Sequence, residues 1–386
     1  MQIKVYNTGM KDDHEDAKDG RDYPLRAIYF YLTEGCNLCC RHCWISATYQ
    51  PDGKASSFLD FDLFRSIVGQ GKLLGLEYVK LTGGEPLLHP DIHRILRYMR
   101  GEKLRFTLET NGTLCTPELA REIKKCKRPS ISVSLDGVNA ETHEYIRGVD
   151  GCFEAALQGI RNLVQEGLRP QVIMTIIKRN KDQIEEMLRL AESLGAGSVK
   201  FNIVQPIERG RKLRKTGDAL DIEELIELGR RMETELPRKT SLPLFYAHPH
   251  AFRPLSRMLG NDRKSSGACG IFEKIGVLPD GSYALCGIGK SVKELTFGDS
   301  RKDSLEDVWK NTEVLKQIRE GLPKKLEGIC GDCLMKEVCM GGCLAQSYYQ
   351  TKHLWSPYWY CEEARKKGLF PEPRLRGRLK THATKK

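Results

Sequence analysis

Long apolar runs are missing from this 386-residue chain. Nothing in it approaches the roughly 18 apolar residues that a membrane-spanning helix requires, so a transmembrane protein is excluded. The opening stretch MQIKVYNTGMKDDHEDAKDG has neither an apolar core nor a cleavage site, which excludes a secretory signal and gives a cytoplasmic location as the expectation. Internal repeats and low-complexity tracts are absent. So are helix-turn-helix and zinc-finger spacings, which argues against nucleic acid as a partner and leaves a zinc-stabilised nucleic-acid-binding protein as a distant alternative. The composition that remains, 40% hydrophobic and 29% charged, describes a soluble globular protein long enough for roughly two to three domains. Its net charge of +11 reads equally as a solvated surface or as a match for an acidic partner.

Against these absences stand 14 cysteines. In a reducing cytosol they are not a disulfide framework, so clustered thiols point to metal ligands or catalysis. Four fall within Cys36–Cys43 and five within Cys330–Cys361, whereas Cys115, Cys126 and Cys152 stand apart and read as small core residues.

Segments Ala27–Thr33, Tyr78–Thr82, Arg105–Glu109, Ser130–Leu135, Gln171–Ile177 and Ser198–Val204 are rich in β-branched or aromatic residues and read as strands. Helical periodicity fills the intervals: Phe153, Ala156, Leu157, Ile160, Leu163 and Val164 share one face, and Ile184, Met187, Leu188, Ala191 and Leu194 another. Thr116-Pro117 reads as a helix start and Gly195 as a stop. Six alternating strands imply parallel βαβ units and an α/β fold, a partial (β/α)6 barrel of the TIM type. The basic stretch Gln205–Gly217 reads as a loop leading to a helix over Ile222–Leu236. Later come a hairpin, Lys274–Leu278 with Ser282–Cys286 turned at Pro279-Asp280-Gly281, a short helix Leu305–Lys310, and the second set of cysteines. The expected division is an extension over 1–24, a barrel core over 25–236, a bridging and cysteine-rich region over 237–365, and a basic tail over 366–386. The last 13 residues carry six Lys or Arg and read as disordered.

Cys36, Cys40 and Cys43 follow the first strand, where barrel active sites are built. Three thiolates can hold one face of a cubane cluster and leave one iron open. Cys36-Cys39-Cys43 is an alternative choice, and a zinc knuckle completed by His42 is another. Cys36-Asn-Leu-Cys-Cys40-Arg-His-Cys43 resembles the Cys-x3-Cys-x2-Cys signature of the radical S-adenosylmethionine (SAM) superfamily. That resemblance selects Cys40 over Cys39, and His42 stands where the family usually has an aromatic residue. It implies a [4Fe–4S] cluster chelated by SAM, one-electron cleavage to methionine and a 5′-deoxyadenosyl radical, and a flavodoxin or ferredoxin as electron donor. It further implies that Gly83, Gly84, Glu85 and Pro86 bind the methionyl part, with a carboxylate available to an ammonium. Asn111, Ser134 and Arg147 would contact the rest of SAM, Arg147 through its carboxylate, and the backbone at Ile203 and Val204 would cover adenine.

The remaining thiols, Cys269, Cys286, Cys330, Cys333, Cys339, Cys343 and Cys361, are regular enough in spacing for structural zinc or for iron–sulfur ligation. They resemble the SPASM domain, a C-terminal extension that holds auxiliary clusters. By that resemblance Cys269, Cys286 and Cys343 hold one auxiliary cluster, expected as [4Fe–4S], and Cys330, Cys333, Cys339 and Cys361 a second. Some family members add an eighth cysteine that this chain lacks between Gly270 and Leu285, so the first of these clusters is open at one iron, held by another ligand, or smaller. Trp355, Tyr358, Trp359 and Tyr360 are expected to pack around a cluster.

Such enzymes mostly modify ribosomally made peptides or proteins by crosslinking, oxidation, excision or epimerisation, and a peptide substrate is the first expectation. An acidic leader would suit the basic Arg209–Lys215 segment. Only about 25 residues precede the first strand, too few for the roughly 80-residue recognition domain of many maturases, so recognition is expected to fall to a separate partner protein or to the barrel itself. A small-molecule precursor such as a tetrapyrrole or quinone is the alternative. For an acid or base, Glu109, His143, His248 and His250 are candidates by their chemistry.

Overall fold

The computed structural model describes residues 23–53, 57–255 and 269–376. The expectations for the N-terminal extension up to residue 22 and for the tail from 377 lie outside the described residues. Among those described, no helix is long and apolar enough to cross a membrane.

Six strands run parallel in chain order: β1 (Ala27–Thr33), β2 (Tyr78–Gly83), β3 (Arg105–Thr110), β4 (Ser130–Ser134), β5 (Gln171–Ile176) and β6 (Ser198–Ile203). Each lies within a residue of its expected bounds, because β-branched side chains alternating with polar ones fit a pleat buried on one face. The helices between them cover the outer face, where Phe30, Val79, Phe106, Val133, Met174 and Phe201 are buried. Thr116 caps its helix by accepting from Leu119 N at 3.3 Å, and Gly195 takes the left-handed φ of 78°.

The sheet does not end with these six. β7 (Leu244–Tyr246) adds in parallel beside β6, and β8 (Lys274–Val277) adds in parallel on the other side of β1. β9 (Ser282–Ala284) and β10 (Thr296–Asp299) continue antiparallel, giving the order β10-β9-β8-β1-β2-β3-β4-β5-β6-β7. The cysteine-bearing hairpin is thus welded to the strand that carries the first cysteine loop. Gly281 turns it, with φ 86° and its N–H donating to Leu278 O at 2.9 Å.

Gln205–Gly217, expected as a loop, holds a helix over Glu208–Thr216. Arg, Lys and Leu are good helix formers, and Gly217 ends the helix in the left-handed region at φ 81°. Its apolar stripe shrinks to Leu213, which packs on Ile146, Ile177, Val204 and Ala219, so the sequence carries little periodic signal there.

The inner faces of the strands are unlike the branched aliphatic layers that fill a closed TIM barrel. Tyr29, Tyr31, Tyr78, Lys80, Thr82, Thr107, Glu109, Ser132, Ser134, Thr175, Lys200 and Lys274 alternate with the outward core residues. This interior is a polar lumen. At the N-terminal ends of the strands, Arg26 pairs with Glu77 and Glu273, each at 3.5 Å, and Arg105 pairs with Glu77 at 3.0 Å. The cysteine loop lies at the opposite end.

Two glycines separate packing from propensity. A Cβ on Gly84 would lie 2.0 Å from Gly35 O, whereas one on Gly69, in the helix Phe61–Leu73, meets nothing within 4 Å. Gly84→Ala is expected to cost at least about 1–3 kcal/mol through backbone displacement. Gly69→Ala should stabilise the chain by about 0.5–1 kcal/mol. Urea unfolding of the two variants checks both signs.

Candidate functional site

The loop after β1 closes on itself, Gly35 and Cys36 pairing in parallel with Thr48 and Tyr49. Cys36 and Cys40 are buried with Leu38, Ala47 and Cys152, and Cys43 packs against them. Cys39 turns elsewhere: its N–H donates to Arg147 O at 3.0 Å, and its Cβ faces Gly148. The structure therefore brings together Cys36, Cys40 and Cys43. Leu38 N donates to Cys36 Sγ at 3.4 Å, Asn111 Nδ2 approaches the same sulfur at 3.8 Å, and Arg147 Nη1 approaches Cys40 Sγ at 3.6 Å. Burial pushes the Cys40 thiol up to about 11 and raises Cys36 further. These thiols need a cation to become thiolates, and donors already aimed at sulfur suit that charged form.

Behind Cys40 lies a buried charge knot. Asp136 accepts from Thr175 N at 2.7 Å and meets His42 Nε2 at 2.7 Å and Arg147 Nε at 2.8 Å. Burial alone would raise its carboxyl, but Arg147 and His42 outweigh this and hold it well below the usual carboxylate range. His42 is thus engaged by Asp136, and Arg147 is neither a surface residue nor a free anion receptor. Its guanidinium divides between the Asp136 carboxylate and the Cys40 sulfur.

Gly83 and Gly84 are required by the chain itself. Gly83 has φ 132°, and a Cβ there would meet Thr33 O at 2.7 Å. Glu85, 1% exposed, accepts from Thr110 Oγ1 and Asn111 N, each at 2.7 Å, and from Leu87 N at 3.0 Å. Burial pushes its carboxyl up to about 7 against these three bonds. All its hydrogen bonds run to the chain, so it acts here by fixing Asn111 rather than by presenting an open carboxylate. Asn111 in turn donates to Asn37 Oδ1 at 2.8 Å. Pro86 starts a short 3-10 turn, Ser134 ends β4 on its inner face, and the Val204 side chain packs under the helix Glu208–Thr216.

The seven later cysteines form two groups. Cys343 lies within electrostatic range of Cys269 and Cys286, and Lys274 Nζ donates to Cys269 Sγ at 2.7 Å. Cys330, Cys333, Cys339 and Cys361 line a small cavity together with Tyr358 and Met335. Tyr358 N donates to Cys330 Sγ and Met335 N to Cys333 Sγ, each at 3.3 Å. Main-chain donors of His250, Gly341 and Gly342 reach Cys339. Tyr358 and Tyr360 stack beside this group, and Trp355 covers Gly321. A cubane takes its thiolates at separate irons, a wider spacing than one ion allows. Among the described residues, no three Cys, His, Asp or Glu side chains lie close enough to share a single ion.

Of the four acid–base candidates only Glu109 stands in the lumen, paired with Lys80 at 2.7 Å. Burial alone would raise its carboxyl, but Lys80 and Lys200 hold it below the ordinary value. His143 accepts from Asp136 N at 3.1 Å, and His248 meets Tyr360 Oη at 3.1 Å. Burial pushes both down to about 3 and His250 to about 4, so all three are neutral packing groups. Sequence reasoning missed the role of Asp136, although its motif was in view, and the lumen lysines. It also missed Cys152 beside the first thiols. Arg209 donates to Ala47 O at 2.8 Å and Cys40 O at 3.3 Å, and Arg214 to both carboxylate oxygens of Glu363 at 2.7 and 2.8 Å. Part of the basic segment therefore braces the fold.

Residues 30–191 match the Radical SAM superfamily and residues 269–334 the SPASM iron–sulfur cluster-binding domain. The chain is 32% identical over 349 residues to an AdoMet-dependent heme synthase of Methanosarcina barkeri, covering 87% of this chain and 96% of that protein. It is 27% identical over 345 residues to the mycofactocin maturase MftC of Mycobacterium tuberculosis, covering 87% and 82% of the two chains. The fold is similar to that of Streptococcus suis SuiB bound to S-adenosylmethionine, with a TM-score of 0.69, 18% identity, and 88% and 78% of the two chains covered.

Two substitutions separate ligands from supports. Cys40→Ala should lose about four irons per chain on anaerobic reconstitution while Cys39→Ala keeps them, as iron analysis would show. Asp136→Asn, which leaves Arg147 buried without its counter-charge, should cost about 3–5 kcal/mol in urea unfolding.

Proposed function

This chain belongs to the radical SAM superfamily, in the branch with a C-terminal SPASM domain, and we propose that it acts on a small, carboxylate-bearing substrate of the tetrapyrrole class. It is a radical SAM enzyme: the core domain binds a [4Fe–4S] cluster and SAM, and the SPASM domain binds auxiliary iron–sulfur clusters. When bound, the cluster and SAM supply one-electron cleavage of the sulfonium and hydrogen-atom abstraction from the substrate.

Their placement supports the following roles for this chain's residues. Cys36, Cys40 and Cys43 would hold the first cluster, and Asn111 and Arg147 approach the Cys36 and Cys40 sulfurs. The wall we assign to SAM runs from Gly83–Pro86 past Asn111 and Ser134 to the backbone at Val204. Arg147 can meet the SAM carboxylate there by exchanging Asp136 for it. Cys269, Cys286 and Cys343 are assigned to one auxiliary cluster, and Cys330, Cys333, Cys339 and Cys361 to the other. The substrate occupies the polar lumen beneath the cysteine loop, with the charged ring of Arg26, Glu77, Arg105 and Glu273 limiting water from below. Reducing electrons come from a flavodoxin- or ferredoxin-type donor.

The correspondence with the heme synthase carries this proposal, because it extends over 96% of that protein. It reverses the order expected from sequence, where a peptide came first. A peptide substrate is the second reading, favoured by the maturase relative and by an open groove lined by Pro206, Arg211, Arg214, Lys215, Tyr349 and Gln350. A basic groove of this kind suits an acidic leader, with or without a separate recognition protein.

Reduced, reconstituted enzyme with SAM should release 5′-deoxyadenosine faster when tetrapyrrole carboxylic acids are added, by at least about tenfold over the substrate-free rate. A Cys36→Ala, Cys40→Ala, Cys43→Ala variant should release none. Stimulation by a peptide fraction alone would move the assignment to peptide maturation.

A further inference from the structure

The lumen holds more positive charge than its own carboxylate can balance. Glu109, whose side chain is 30% exposed, faces both Lys80, at 2.7 Å, and Lys200. Lys274 is held at the Cys269 sulfur. Among the described residues no hydrogen bond or ion pair reaches the Lys200 ammonium, and burial inside the barrel disfavours its charge. Lys200 and Lys80 share the single Glu109 carboxylate, and an enclosed cation balanced only in part has room for further counter-charge from a ligand. The neighbouring register position is Phe245 on β7, a large apolar side chain left 37% exposed beside Lys200. A cation next to exposed aromatic surface suits a flat apolar body with carboxylates on its edge.

We propose that Lys200, with Phe245 beside it and the Lys80–Glu109 pair opposite, is the seat for a carboxylate of the substrate inside the lumen. This rests on the tetrapyrrole assignment for the identity of the substrate, but the anion seat itself rests on the geometry. Lys200 is a binding and orienting residue. A carboxylate held there fixes which edge of the substrate faces the cysteine loop, and a neutral ester has no counter-charge to offer.

Equilibrium dialysis of the reconstituted holoenzyme tests the seat directly, with three probes: coproporphyrin, its tetramethyl ester, and benzenehexacarboxylate. Bound porphyrin is read by fluorescence after acid release. The tetraacid should bind at least about tenfold more tightly than the ester, and Lys200→Met should abolish that preference. Lys200→Arg should retain it. Glu109→Gln, which frees both amines from their internal partner, should tighten the tetraacid. These opposite directions cannot both come from misfolding, and iron content with far-UV circular dichroism checks each variant. Equal binding of acid and ester, or a Lys200→Met variant that binds like wild type, overturns the seat, as does failure of all three probes to bind. If benzenehexacarboxylate alone binds in a Lys200-dependent way, the seat stands and the tetrapyrrole assignment fails.

Discussion

Contact between two backbones, at Gly84 and Gly35, sets where the chemistry is placed. A Cβ at Gly84 would lie 2.0 Å from Gly35 O, so the exits of β1 and β2 press together more closely than any other residue permits. Gly84 N donates to Thr33 O at 2.8 Å and Glu85 N to Gly35 O at 3.0 Å, which locks the crossing. From one side of it rises the loop with Cys36, Cys40 and Cys43. From the other hangs the Glu85 carboxylate, which holds Asn111 N at 2.7 Å and so aims the Asn111 amide toward Cys36 Sγ. One steric constraint thereby positions three thiols and a donor to one of them.

Charge in a poorly hydrated interior then divides the molecule into fixed and receptive regions. Asp136 is fully enclosed and satisfied by His42, Arg147 and Thr175, an arrangement that holds the back of the cysteine loop rigid. The lumen is different. Its strands carry lysines, tyrosines and one glutamate inward, and the balance is left positive at Lys200. Direct pairing of β8 with β1 brings Cys269 and Cys286 beside Lys274 at the wall of the same chamber. Trp44, one residue past Cys43, joins Tyr31 at 6.5 Å and ties the two regions together.

The six central strands were legible because alternation and β-branching both point to a half-buried pleat, and Thr116, Gly195 and Gly281 carry their turn chemistry in their residue types. The cysteine loop was legible through spacing and resemblance together; spacing alone left Cys39 open, and only packing turns it toward Gly148. The helix Glu208–Thr216 was not legible, since Leu213 and Gly210 alone mark its buried side. The lumen was hidden for a more general reason. Polar residues at alternate strand positions look the same whether they face solvent or a chamber, so Lys80 and Lys200 carried no signal until the sheet curled around them. Pairing across 247 positions, as between Ala27 and Lys274, likewise leaves no local trace.

The measurement closest to the central claim follows deuterium. Metabolites and peptides extracted separately from cells grown in deuterated medium are given to reduced enzyme with unlabelled SAM, and the 5′-deoxyadenosine is analysed by mass spectrometry. Deuterium arriving from the carboxylate-bearing small-molecule fraction is the predicted result, and it would hand over the substrate for identification. Deuterium arriving only from the peptide fraction, or 5′-deoxyadenosine that acquires none from either, would contradict the account.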